Sequence, residues 1–280
     1  MDELELFHRC SYTAENEIAV LYFIHGLDDH FGRWDDLKDF VLNRNISFYA
    51  HDQRGHGKTE LGIRAYVKDL NIFADDTIRE IEEVKKQKPD TPIILMGHSM
   101  GGLIACMVAL KRPDLILGSC LSAPCLKLSD DVSPIMRKLA YGIACIAPKF
   151  YLPWSSLDRG KLTPNLEQQE KDAKDPYIWH HGVRAGFGIA LMKAIDETTA
   201  NFINYSTPTF VFHGEFDAVC DFAGSKSLAE TKPDLVKIVR YDYPYHSLFH
   251  LMPEESKNVM DDLYEKILEL LKLATPGNKI

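Results

Sequence analysis

The sequence lacks a cluster of positive charge, and its formal net charge is −9 at pH 7. Nucleic-acid binding depends on grouped lysine and arginine side chains that contact phosphates, so we expect no nucleic-acid partner. The six cysteines show no C-x-x-C spacing, which argues against a zinc site and against a disulfide framework. This composition is typical of an ordinary globular chain.

Targeting and membrane-spanning signals are also missing from the sequence. The first stretch, MDELELFHRCSYTAENE, is acidic where a secretion signal is basic, and it has no apolar core. The apolar stretch 133–154 is interrupted by Arg137, Lys138 and Lys149, well short of the roughly 18 uncharged residues that span a bilayer. We therefore expect a cytoplasmic location.

Short apolar runs alternate with longer amphipathic ones, which predicts an α/β fold. Six runs are predicted to be buried parallel strands: 18–26, 46–52, 92–97, 116–124, 207–214 and 236–242. One helix is predicted from the spacing of Val67, Leu70, Ile78, Ile81 and Val84, and a terminal helix from Met260, Leu263, Ile267, Leu270 and Leu271.

One region interrupts this alternation. From about Leu126 to Ser206 the chain has helical patterns, prolines and aromatic residues but no clear strand. We predict a core formed by residues 1–124 and 207–280, with residues 125–206 inserted as a helical cap. The apolar part of this cap either covers an apolar pocket or simply packs onto the core.

Residues 94–102 read ILMGHSMGG and place a serine between a strand pattern and a helix pattern. Gly97 and Gly101 flank Ser99 as in a G-x-S-x-G turn, where small residues permit a sharp bend that exposes the hydroxyl. The helix pattern that follows stops at Pro113. The glycine patterns of phosphate-binding loops are absent. We predict that Ser99 is a nucleophile.

A serine nucleophile needs a base and an orienting acid, which should follow it on later strand ends. Asp217 follows the fifth predicted strand and His246 follows the sixth. We predict that His246 takes the proton of Ser99 and that Asp217 orients the imidazole. Three alternatives lie nearby: Glu215 and Asp221 for the acid, and His250 for the base.

The oxyanion formed during acyl transfer requires two backbone N–H donors, one after the nucleophile and one after an early strand. Met100 and Leu27 occupy these positions. His25, His51 and His56 are better explained as structural residues in turns.

Five stretches together resemble the monoacylglycerol lipase and lysophospholipase branch of the α/β-hydrolase superfamily. They are HGLDDHFGRW, YAHDQRGHGKTE, GHSMGG, HGEFDAVCD and YHSLFHLMPE, in the family's order and at similar spacing. The resemblance implies an α/β-hydrolase fold, with a mostly parallel central sheet flanked by helices and a helical cap insertion. It also implies a triad of Ser99, Asp217 and His246 and an oxyanion hole at Leu27 and Met100.

The same resemblance implies a serine hydrolase that cleaves the acyl ester of a monoacylglycerol. Asp29 and Arg33 would hold the polar head of a monoacyl lipid, no metal or organic cofactor is implied, and the cap would allow peripheral membrane contact. A lysophospholipase and a general carboxylesterase are the nearest alternatives. A proline-type aminopeptidase, with an acidic anchor in LEQQEKD (166–172), and a non-catalytic binding protein are more distant ones.

The chain departs from the family in the first loop. The family commonly has a small residue and a glycine where this chain has Leu27 and Asp28. This difference leaves the head-group preference open. Cys220 matches a cysteine of the family, and either makes activity sensitive to thiol reagents or is a buried, inert thiol.

Overall fold

The computed structural model describes residues 3–129, 134–152, 155 and 158–274. The predicted cap and both chain ends include residues outside these ranges, and so does the side chain of Arg137. In the described ranges, seven strands form one sheet in the order β1-β3-β2-β4-β5-β6-β7. The strands are β1 (Arg9–Tyr12), β2 (Ala19–Ile24), β3 (Ile46–His51), β4 (Ile93–His98), β5 (Gly118–Ser122), β6 (Thr209–Gly214) and β7 (Val236–Tyr241).

Strands β2 to β7 correspond to the six predicted runs. Every pair of adjacent strands among these six is parallel. The prediction of buried strands holds for β2 to β5, and for β6 at every position except Phe210, which is half-buried. In contrast, β7 is an edge strand on which only Val236 is fully buried. The sequence did not indicate β1, which pairs antiparallel with β3. This strand has only four residues, mostly exposed, so it carries no apolar run to detect.

Nine α-helices are described. They are α1 (Asp35–Leu42), α2 (Asn71–Gln87), α3 (Met100–Lys111), α4 (Pro134–Ile146), α5 (Arg159–Leu162), α6 (Leu166–Lys174), α7 (Ala185–Ala200), α8 (Phe222–Thr231) and α9 (Pro253–Ala274). Of the residues that predicted the first helix, Val67 and Leu70 precede α2, although both are buried. These two residues are apolar because the loop before α2 packs into the core. The predicted terminal helix is α9.

The sheet is covered on both faces, as expected for parallel strands joined by helices. Alternate residues of β2 show this: Tyr22 and Ile24 point into a core with α2, α3 and α7, whereas Leu21 and Phe23 point into a core with α1 and α9. Both cores are buried, so the strand reads as one continuous apolar run.

Helices α4 to α7 lie between β5 and β6, and no named strand occurs among the described residues of this segment. The exact division into core and cap stays a prediction. In the described part of the chain, no helix combines the length and apolar character needed to cross a membrane. The carboxyl ends of β4, β6 and β7 meet at one edge of the sheet, where the candidate site lies.

Candidate active site

Ser99 lies in a sharp turn between β4 and α3. Its φ is 55°, a left-handed value that non-glycine residues seldom adopt. The turn needs glycine on both sides, because a Cβ on Gly97 would lie 2.2 Å from the Gly101 carbonyl oxygen and one on Gly101 would lie 2.1 Å from the Ile24 carbonyl oxygen. The Ser99 N–H donates to the Ser122 carbonyl at 2.9 Å, which ties the turn to β5.

Asp217 and His246 meet beside this turn. His246 Nδ1 lies 2.7 Å from Asp217 Oδ2, and both residues are buried. The other carboxylate oxygen accepts hydrogen bonds from the backbone N–H groups of Val219 and Cys220 at 2.7 and 3.0 Å. Burial alone would raise the pKa of Asp217. The neighbouring His246 and His213 lower this pKa by more than burial raises it, so the net pKa lies well below its usual range. The carboxylate is therefore ionised and can orient an imidazole.

The other ring nitrogen of His246, Nε2, is buried and has no hydrogen-bond partner among the described residues. Ser99 and His246 line the same cavity, but the structure records no hydrogen bond between them. Such contacts are often long in the absence of substrate and shorten when it binds. The free nitrogen is therefore available to accept a proton.

The alternative acids and base have other contacts. Glu215 pairs with Arg240 at 3.3 Å, and Asp221 accepts from the Ala223 N–H at 2.8 Å at the start of α8. His250 Nε2 donates to the Arg33 carbonyl at 3.2 Å. The geometry therefore favours Asp217 and His246, and their catalytic roles stay predictions.

Leu27 and Met100 are both placed beside Ser99. Met100 is the first residue of α3, whose early N–H groups have no partner within the helix. The loop that carries Leu27 packs on the same turn, because a Cβ on Gly26 would lie 3.4 Å from the Ser99 Cβ. The structure records no acceptor for either N–H within its described ranges. Both N–H groups are therefore available for an oxyanion.

The three histidines expected to be structural are buried and are not among the residues that line the cavity around Ser99. His25 donates through Nδ1 to the Gly26 carbonyl at 2.8 Å and accepts the Gln53 N–H through Nε2 at 2.9 Å. Burial lowers the pKa of His51 and of His56 to about 3, so both are neutral at ordinary pH.

Asp29 and Arg33 form a buried ion pair that reaches the inserted helices. Arg33 Nη1 donates to Asp29 at 2.7 Å, while Nε and Nη2 donate to the two oxygens of Asp172 at 3.0 and 2.5 Å. Asp29 also accepts from the Trp34 indole at 3.0 Å. Burial would raise the pKa of Asp29, but Arg33 lowers it more, so the net pKa is lowered. Both predicted substrate-binding residues line the cavity while bonding to each other.

The cavity has a volume of about 830 Å³ and contains the side chains of Ser99 and His246 in its lining. One set of lining residues is apolar: Leu128, Leu152, Ile178, Val183, Leu191 and Met192. Another set is charged: Asp28, Asp29, Arg33, Asp158, Arg159, Lys161 and Asp172. The volume is within the usual range for small-molecule sites.

Sequence reasoning missed two neighbours of the site. His213 Nε2 lies 3.3 Å from Asp217 Oδ2 and also contacts the Cys220 carbonyl at 3.1 Å. Asp172 was seen only as part of an acidic stretch. No local pattern could reveal the partner of Asp172, because Arg33 lies 139 residues away in sequence.

Cys220 borders the nucleophile. Contact with the Cys125 thiol and burial raise the pKa of Cys220 well above its usual range, although Ser99 lowers it. Since the thiolate is the reactive form, this environment favours an inert thiol.

Comparison with known proteins identifies the family of this chain. The family model described as "Serine aminopeptidase, S33" matches residues 15–251. The monoglyceride lipase of Rattus norvegicus is 31% identical over 262 residues, which cover 92% of this chain and 85% of the relative. The chain belongs to the monoglyceride lipase family of α/β-hydrolases. The resemblance inferred from the sequence is thereby confirmed.

Solved structures of monoglyceride lipases share the fold of this chain. The crystal structure of Paleococcus ferrophilus monoacylglycerol lipase has a TM-score of 0.81 at 25% identity, covering 94% of this chain and 99% of that chain. A soluble variant of monoglyceride lipase from Saccharomyces cerevisiae has a TM-score of 0.85 at 20% identity, covering 94% and 92%. The predicted α/β-hydrolase fold is confirmed, and the chain is a serine hydrolase of the esterase and lipase type.

Proposed function

We propose that this protein hydrolyses the acyl ester of monoacylglycerols to fatty acid and glycerol. The observation that carries the proposal is a single cavity lined by Ser99, His246, an apolar set of side chains and a charged set. The apolar side chains suit an acyl chain, and the charged ones suit a glycerol head. The relatives named monoglyceride lipase support the same substrate class.

Ser99 Oγ attacks the ester carbonyl carbon while His246 Nε2 accepts the hydroxyl proton. The negative charge on the carbonyl oxygen is stabilised by the N–H groups of Leu27 and Met100. When the intermediate collapses, the C–O bond to glycerol breaks and His246 returns the proton to the leaving oxygen. The products of this half-reaction are glycerol and an acyl group on Ser99.

Water completes the cycle. His246 takes a proton from the water as its oxygen attacks the acyl carbon, and the bond to Ser99 Oγ then breaks with return of that proton. Fatty acid leaves and Ser99 is regenerated. Throughout, the ionised Asp217 holds the imidazole in one tautomer and stabilises its positive form.

We propose that residues 125–206 act as a helical cap over this cavity. Trp179 and Val183 of this segment line the cavity together with Ser99. The Trp179 N–H also donates to the Asp28 carbonyl at 3.3 Å. These contacts support a role for the segment in enclosing the substrate.

We also propose that the protein works in the cytoplasm and meets lipid at membrane surfaces. All six cysteines are free, which suits a reducing compartment. Four large side chains on and after α4 are exposed: Leu139, Tyr141, Ile146 and Phe150. Such an apolar surface on the cap suits peripheral contact with a bilayer.

The experiment is the release of fatty acid from a monoacylglycerol by the native protein, by Ser99→Ala and by Ser227→Ala. Ser227 lies exposed on α8 and controls for the loss of a hydroxyl elsewhere. We expect native and Ser227→Ala to release fatty acid and Ser99→Ala to release none. Equal release by Ser99→Ala would contradict the nucleophile, and no release by the native protein would contradict the substrate.

An aminopeptidase is the second candidate, because the matching family model carries that description. A peptidase needs a free carboxylate for the amino terminus of its substrate. The acidic stretch 166–172 offers Asp172 to the cavity, but this carboxylate already binds Arg33. We therefore favour the lipase, and cleavage of a chromogenic prolyl amide without cleavage of monoacylglycerol would reverse the preference.

A further inference from the structure

The Asp28 carboxyl lines the cavity without a partner of its own. Its Oδ1 is buried and accepts no hydrogen bond, and within the described ranges no ion pair reaches either oxygen. Buried polar groups nearly always have a partner in the protein, in ordered water or in a ligand. An orphaned oxygen on a cavity wall therefore indicates a place for a polar ligand atom.

Asp28 lies at the reacting end of the cavity. It follows Leu27, a proposed oxyanion donor, and its φ of 60° turns the chain sharply at this point. It precedes Asp29, which binds Arg33. A group that contacts the Asp28 carboxyl would thus lie close to the ester, on the charged side of the cavity.

The charges around Asp28 disfavour an anion. Arg33 forms ion pairs with both Asp29 and Asp172, so its single positive charge is already neutralised by two carboxylates. The remaining charged lining residues, on and beside α5, are Asp158, Arg159 and Lys161. Besides Asp28 itself, the lining as described has three carboxylates and three cations, so it offers no surplus of positive charge to an anion. Outside the lining, Arg64 is a cation whose charge lowers the pKa of Asp28.

We propose that Asp28 determines head-group specificity by hydrogen-bonding a hydroxyl of an uncharged leaving alcohol and by excluding one that carries a phosphate. This inference rests on the proposed hydrolysis of monoacylglycerols. It distinguishes the protein from a lysophospholipase, whose substrate has a phosphate on the same glycerol.

The protonation of Asp28 makes this selectivity depend on pH. Burial raises the pKa of Asp28 to about 8, with Arg64 lowering it and Asp29 raising it. Near neutral pH the carboxyl keeps its proton and can donate it to a hydroxyl, while above its pKa it becomes an anion that repels phosphate. The discrimination against phosphate should therefore increase as the pH rises through about 8.

The experiment compares two water-soluble substrates that share one medium-length acyl chain, a monoacylglycerol and the corresponding acylglycerol 3-phosphate. The ratio of their kcat/KM values is measured at about pH 7 and about pH 9, on either side of the Asp28 pKa. Because the same triad acts on both substrates, any pH dependence of the triad cancels from the ratio. The phosphate itself, with a second pKa of about 6, is largely ionised at both pH values.

The variants are Asp28→Asn, which keeps the shape but cannot ionise, and Asp28→Gly, which removes the side chain. Asparagine and glycine both tolerate the left-handed backbone at this position, so the fold should survive. Asp75→Asn is the matched control, because Asp75 lies exposed on α2, outside the cavity. A nitrophenyl ester of the same acyl chain reports on the triad without a head group.

We expect the native ratio to favour the monoacylglycerol and to rise by roughly tenfold between the two pH values. Asp28→Asn and Asp28→Gly should lower the ratio by about tenfold at the higher pH and make it independent of pH. Asp75→Asn should behave like the native protein.

Two outcomes would overturn the inference in distinguishable ways. If the native protein cleaves the monoacylglycerol and the Asp28 variants keep its ratio and pH dependence, the inference is wrong and the proposed function stands. If the native protein cleaves the nitrophenyl ester but neither glycerol lipid, the proposed function is wrong and the inference falls with it.

Discussion

Arg33 and Asp172 form a two-point contact between the loop after β2 and helix α6. The guanidinium Nε and Nη2 lie 3.0 and 2.5 Å from the two carboxylate oxygens, although 139 residues separate the residues in sequence. Both side chains are largely buried, at 13% and 8% exposure. This pair therefore fastens the inserted segment to the sheet at the edge of the cavity.

Replacing Arg33 should weaken the fold more than replacing a surface cation. Arg33→Lys keeps the charge but cannot bind two oxygens of Asp172 and one of Asp29 together. Imperfect pairing of buried carboxylates should lower the free energy of unfolding by about 3 kcal/mol, measured by urea denaturation. Lys174→Ala removes an exposed partner of Glu170 and should change the free energy of unfolding little. Equal effects of the two variants would contradict the anchoring role of Arg33.

Acid should weaken the contribution of Asp29 to stability. Its pKa in the folded protein is lowered, whereas an aspartate in an unfolded chain has a pKa near 3.9. The stabilisation is thus complete above about pH 4 and is lost as the pH falls towards the folded pKa. The difference in unfolding free energy between native protein and Asp29→Asn should shrink as the pH falls below about 4. A difference independent of pH would contradict the lowered pKa.

Asp28 should have the opposite effect on stability. Because the pKa of Asp28 is raised to about 8, ionisation favours the unfolded chain as the pH increases from about 4 to 8. Asp28→Asn should therefore gain stability relative to the native protein over this range, as measured by urea denaturation at several pH values. A constant difference would show that the carboxyl titrates normally.

Asp217→Asn should lower kcat by roughly 10²- to 10⁴-fold, because an amide cannot stabilise the positive imidazole of His246. Asp221→Asn is the matched control, since Asp221 lies four positions away and caps α8. Asparagine caps a helix about as well as aspartate, so this variant should change stability little and leave turnover of a nitrophenyl ester nearly unchanged. If Asp221→Asn is the variant that loses activity, the acid has been assigned wrongly.

Gly101→Ala should be severely destabilising. Its Cβ would lie 2.1 Å from the Ile24 carbonyl oxygen, which belongs to the buried strand β2 and cannot move freely. We expect a loss of about 3 kcal/mol or failure to fold, measured by thermal denaturation. Gly142→Ala is the control, because nothing lies within 4 Å of its Cβ on α4. This change should be neutral or should stabilise by about 0.5–1 kcal/mol through helix propensity.

The exposed apolar residues of the cap should mediate membrane binding. Flotation with neutral phospholipid vesicles should recover the native protein with the lipid, whereas Ile146→Glu, at a position 89% exposed, should reduce recovery severalfold. Ile18→Glu is the control, because Ile18 is 41% exposed and lies outside the cap, just before β2. Recovery of all three forms in the lipid-free fraction would contradict membrane contact through the cap.

The sequence predicted those features that depend on neighbouring residues. Apolar runs located β2 to β6 because a strand buried on both faces needs apolar side chains at every position. The glycines around Ser99 located the turn, because its geometry excludes a Cβ at Gly97 and Gly101. The edge strand β1 and the start of α2 were missed, because a four-residue polar strand and a buried loop residue such as Val67 carry no distinctive period.

By itself the sequence determined the alternating architecture, the turn that carries Ser99 and the strand-end positions of Asp217 and His246. Only the tertiary structure decided that Arg33 binds Asp172, that Asp221 caps a helix and that the Asp28 carboxyl is left without a partner. Local backbone requirements and burial leave a pattern within a few residues of sequence. The pairing of charges depends instead on which distant segments pack together and how much water they exclude, and no short stretch of sequence records that.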